Sequence, residues 1–74
     1  KFSKGELMDK IGRRIGKKIL YWLKEREMTS EKLSYENGIS KGYISDIVSS
    51  KKLPSLKMLA KIAKALRIDI KELF

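Results

Sequence analysis

The segment "TSEKLSYENGISKGYISDIV", residues 29–48, constrains the fold more than any other part of the chain. Two short amphipathic stretches flank Asn37-Gly38, and both of those residues tolerate the left-handed backbone that ends a helix. Thr29 stands where an N-cap belongs, and Glu31 in the first turn suits the helix dipole. The helix they open, about 30–36, buries Leu33. After the break Ile39 returns the chain to the core, and Ser40 caps a third helix with an inward stripe of Ile44, Ile47 and Val48. So short a connection forces the two helices together, and Leu33, Ile39, Ile44 and Ile47 are the apolar residues placed to hold their angle.

The rest of the chain supplies what this pair packs against. Ile11, Ile15, Ile19, Trp22 and Leu23 recur at spacings of three and four, the stripe of an amphipathic helix of about four turns. Lys10, Arg13, Arg14, Lys17, Lys18 and Lys24 lie elsewhere on its surface, while Gly12 and Gly16 weaken it. Residues 1–9, "KFSKGELMD", are weakly periodic and read as a partly flexible extension, leaving 10–74 as the domain. "SSKKLP" interrupts the pattern. Ser55 then caps a fourth helix with Leu56, Leu59, Ile62, Ala63 and Leu66 inward and Lys57, Lys61 and Lys64 outward. A last turn over residues 69–74 carries Ile70, Leu73 and Phe74. No stretch alternates with period two, so the expected class is all-α, a compact bundle of five helices.

Composition narrows the function. Eighteen Lys and Arg against nine Asp and Glu leave +9 on 74 residues, which points to a polyanion, nucleic acid before an anionic membrane surface. The plainer reading is a solvated, lysine-coated surface. Cysteine and histidine are both absent, which removes disulfides, thiolate chemistry, the usual general base and the commonest metal ligand. The expectation is a protein that is not an enzyme and needs no metal or cofactor. No apolar run approaches the ~20 residues of a membrane span, and a reducing cytoplasm fits the lack of cysteine.

A helix, a short turn with glycine and a second helix make the helix-turn-helix unit. The first helix braces across the phosphate backbone, and the second lies in the major groove with its N-terminal residues against base edges. Over about residues 15–74 the chain resembles the Cro/repressor (XRE) type helix-turn-helix family. The resemblance rests on the turn glycine, "S-x-x-Y-I-S" opening the third helix, "P-S-L-x-x-L-x-K-I-A-x-A-L" and the closing "I-x-x-x-E-L-F". It implies a lambda-repressor-like bundle whose second and third helices form the DNA-binding unit. It also implies that Ser40, Lys41, Gly42, Tyr43, Ser45 and Asp46 face the bases. Ser30, Ser49, Ser50, Lys51 and Lys52 then stand at phosphates. Ile68, Ile70, Leu73 and Phe74 lie where the family often dimerises, although they equally suit closure of a monomer's core.

Several residues carry two readings. Lys41 reaches guanine O6 and N7 or a phosphate; Tyr43 contacts the duplex or packs on a neighbouring helix; Asp46 accepts from cytosine N4 or pairs with a nearby lysine. The basic run from Lys10 to Lys18 extends the footprint or keeps a long helix solvated. Departures from the family are visible too. Leu23 and Val48 stand where it typically pairs arginine with glutamate. Ser49-Ser50 replaces the usual Asn-Gly, and Ser30 a common glutamine.

The expected function is sequence-specific binding of double-stranded DNA by a homodimeric transcriptional regulator, a repressor at a two-fold symmetric operator. Its half-sites would lie ~34 Å apart. The rival is a protein-binding module, such as an antitoxin or co-regulator with a protein partner and secondary DNA binding.

Overall fold

The computed structural model describes residues 3–74. In chain order it contains α1 (Lys4–Glu25), α2 (Ser30–Asn37), α3 (Lys41–Val48), α4 (Leu56–Leu66) and a 3-10 turn (Ile70–Leu73). No strand occurs among the described residues. The class is all-α, but the expectation of five helices is corrected to four helices and one closing turn. That turn is four residues long, with the Asp69 carboxylate accepting from the Lys71 amide at 3.1 Å.

α1 starts well before the apolar stripe does. Ser3 and Glu6 form a capping box: the Glu6 amide donates to Ser3 Oγ at 3.2 Å, and the Ser3 amide to Glu6 Oε1 at 3.4 Å. Residues 4–9, read from sequence within the extension, are therefore helical; residues 1 and 2 of that extension lie outside the described residues. These first turns overhang the core, which is why their periodicity is weak. Leu7 is 48% and Met8 43% exposed.

The remaining caps fall where side-chain chemistry puts them. Thr29, Ser40 and Ser55 accept from the Lys32, Tyr43 and Met58 amides at 3.0–3.1 Å. Gly38 ends α2 in the left-handed region at φ 64°. Asn37 donates to its own helix, at the Leu33 carbonyl, and the Ser34 hydroxyl donates to the Ile39 carbonyl across the turn. Both bonds tie down the connection into α3.

Among the described residues, three that are not glycine, Glu27, Ser50 and Arg67, also take positive φ. Ser50 matters most for the site. It has φ 67° at the position where the family usually carries glycine, at a cost of about 1 kcal/mol. The turn still closes: the Ser50 amide donates to Ile47, and the Lys51 and Lys52 amides both donate to the Asp46 carbonyl.

The core is one cluster. Ile15, Ile19 and Leu23 of α1 meet Leu33, Ile39, Ile44 and Ile47 of the central pair, then Leu59, Ile62, Ala63 and Leu66 of α4, and Leu73. Trp22, Val48, Ile68 and Ile70 are half-buried against it. Leu56, expected inside, is 68% exposed; it is the first residue of α4, and nothing packs over that end. Arg26 clamps α1 to the far end of α4. Its Nε donates to the Leu66 carbonyl at 2.9 Å and its Nη2 to Arg67 at 3.3 Å, with the guanidinium 5.4 Å from the Trp22 ring centroid. A cation on the C-terminal carbonyls of α4 also suits that helix's dipole.

Candidate nucleic-acid interface

Of the eight residues of α3, Ile44 and Ile47 are buried, Lys41, Gly42 and Ser45 exposed, and Tyr43, Asp46 and Val48 half-buried. Ile44 and Ile47 are each 1% exposed and fix the helix's rotation. That rotation leaves Ser40, Lys41, Gly42, Ser45 and Ser49 exposed, with Asp46 at 32% and Tyr43 half-buried. Gly42, Ser45, Asp46 and Ser49 follow spacings of three and four, so they line one outward face.

Ionic contacts gather the flanking charges onto that face. Lys41 Nζ lies 3.6 Å from Glu31 in the first turn of α2, where the crossing of the two helices brings their N-termini side by side. Ser30 sits half-buried in that same turn. Lys52 Nζ is 3.8 Å from Asp46 and 5.5 Å from the centroid of the Tyr43 ring. Asp46 thus has the lysine partner that its sequence position allowed. Tyr43 takes its packing reading: it is half-buried against the core, and Lys52 lies over its ring.

The loop residues complete the site. Ser49, Lys51 and Lys52 are exposed and Ser50 half-buried, just beyond the C-terminus of α3. Ser49 Oγ donates to the Ser45 carbonyl at 2.7 Å, so its hydroxyl proton is already committed. Exposed ion pairs of this kind are worth only about 0–1 kcal/mol. A phosphate can therefore take Lys41 or Lys52 from its carboxylate at little cost. Glu31 reads from sequence only as a charge suited to the dipole of its own helix; its place as the carboxylate beside Lys41 depends on how α2 and α3 cross.

The four C-terminal residues Ile68, Ile70, Leu73 and Phe74 differ in burial. Leu73 is fully buried in the chain's own core, which removes it from any dimer contact. Ile68 and Ile70 are half-buried, and Phe74 is 44% exposed. Among the described residues, no group of three or more acidic residues could hold a metal ion, and no helix is long and apolar enough to cross a membrane.

Residues 19–73 match the helix-turn-helix family HTH_3, covering both helices of the unit, α4 and the closing turn. No curated protein and no solved structure matches the chain.

Proposed function

The chain belongs to the Cro/repressor (XRE) type helix-turn-helix family of DNA-binding regulators, and on that premise we propose that it is a sequence-specific repressor acting in the cytoplasm as a homodimer on a two-fold symmetric operator. α3 enters the major groove, with Lys41, Ser45 and Asp46 at base edges and Gly42 admitting the duplex closely. The first turn of α2 and the loop lysines hold phosphates. The role is binding and positioning; catalysis has no part in it.

The observation that carries this reading is Gly42. Nothing lies within 4 Å of where its Cβ would be, so no internal contact requires glycine there. A glycine in a helix otherwise costs about 1 kcal/mol relative to alanine. Its presence on the exposed first turn of α3, between Lys41 and Tyr43, is accounted for by an outside surface that must come close. Gly42→Ala is therefore expected to stabilise the fold by about 0.5–1 kcal/mol, seen as a raised melting temperature, while weakening DNA binding. Equal DNA affinity in the two proteins would remove the groove role of this residue.

Selection from a random duplex library tests the function as a whole. The expected product is a consensus with two-fold symmetry and half-sites about one helical turn apart. Lys41→Ala should change the preferred bases within each half-site. Recovery of no consensus, with tight binding to another protein, would favour the partner-binding alternative.

A further inference from the structure

The outer face of α1 is a second strongly charged surface, which the helix-turn-helix does not use. Lys10, Arg13, Arg14, Lys17, Lys18 and Tyr21 line a concavity of about 620 Å³ on this one helix. All are exposed except Lys18, which is half-buried. The opposite face of α1 is turned to α3 and its loop: Gly12 approaches Leu53, and Gly16 approaches the Val48 carbonyl. A duplex seated against the outward face of α3 is thus separated from this ridge by both helices.

We propose that the ridge binds the backbone of a second nucleic-acid duplex segment, so that one protein molecule can hold two segments at once. Charge and spacing favour this occupant. Five cations fall within residues 10–18, a rise of about 12 Å, over which a duplex carries about seven phosphates. Arg13 is 3.1 Å from Asp9, but both side chains are more than half exposed, so a phosphate can displace that pair. Tyr21 adds a hydroxyl and a flat ring at one end of the row. An anionic membrane fits less well, because Ile15, Ile19 and Leu23 of α1 are buried in the core, and the apolar residues left outside, Leu7, Met8 and Leu20, are scattered around the helix and form no face that could insert.

The test uses the whole chain and two short duplexes. One, carrying the selected consensus, is tethered and loaded with protein; the other, labelled and of unrelated sequence, is then offered at about 100 mM salt. Wild type should capture the second duplex. Arg14→Ala/Lys17→Ala/Lys18→Ala should lose that capture at least about tenfold while still binding the tethered one. Lys57→Ala/Lys61→Ala/Lys64→Ala, which removes the same charge from the outer face of α4, should keep both. Equal losses in the two triple variants would reduce the ridge to bulk charge and overturn the proposal. So would no capture by wild type, capture surviving in the ridge variant, or binding of the ridge to anionic lipid vesicles in place of DNA. Capture without any selected consensus would fail the recognition-helix reading and leave the ridge standing.

Discussion

Operator binding is expected to fall about 150-fold when salt is raised from 50 to 200 mM. With Lys41 at base edges, each copy offers Lys51 and Lys52 to phosphates, both exposed. Every neutralised phosphate releases counterions and adds about 0.9 to the slope of log affinity against log salt. Four contacts from two copies give a slope of about 3.6, and over a fourfold change in salt that is about 150-fold. Two contacts from one copy give only about 12-fold. Titration of labelled operator at several salt concentrations therefore reads the number of bound copies together with the mode of binding. A flat dependence would mean that the lysines do not meet phosphates. A slope of about 1.8 would keep the DNA contact and discard the dimer. Because Lys52 begins paired with Asp46, some of its charge is already compensated, so both values are upper figures.

What the sequence makes legible is whatever is decided within a few residues. The caps at Thr29, Ser40 and Ser55 and the left-handed stop at Gly38 each depend on one side chain and the amides next to it. The central stripe Ile44–Ile47 follows from helical period, and with it the outward face of α3. Elements that overhang the core are harder to read. Periodicity is a record of burial, so α1 looks as if it starts late, although Ser3 and Glu6 already carry the capping signature. Leu56 keeps the helical spacing of α4 but has nothing above it. The closing turn shows the opposite case. Its apolar residues suit a dimer surface as well as a core, and only the path of the chain sends Leu73 inward and leaves Phe74 outside. In the candidate site, residue types on α3 were accessible from the motif, and a lysine beside Asp46 was one of its readings, but the carboxylate beside Lys41 was not. Glu31 and Lys41, ten residues apart, meet only because α2 and α3 cross as they do.

Gly16→Ala is expected to lower stability by about 2 kcal/mol and the melting temperature by about 8–16 °C. By helix propensity alone the sign should be the reverse, since alanine in a helix interior gains about 1 kcal/mol over glycine. Tertiary packing overrides it. A Cβ at residue 16 would stand 2.7 Å from the Val48 carbonyl oxygen and 3.0 Å from that of Ile47. Both are backbone atoms at the C-terminus of α3, so no rotamer change relieves the clash. Either α1 or α3 must move, and α3 carries the groove-facing residues. Gly12 is the control, one turn earlier on the same helix. Its Cβ would meet only Leu53 Cδ1 at 3.8 Å, an ordinary contact. Gly12→Ala should therefore keep the propensity gain and raise the melting temperature by a few degrees, up to about 8 °C. Thermal melts of the two variants read this difference of sign directly. Should Gly16→Ala melt at or above wild type, α1 does not press on the end of α3, and the orientation of the recognition helix must be set by its contacts with α2 alone.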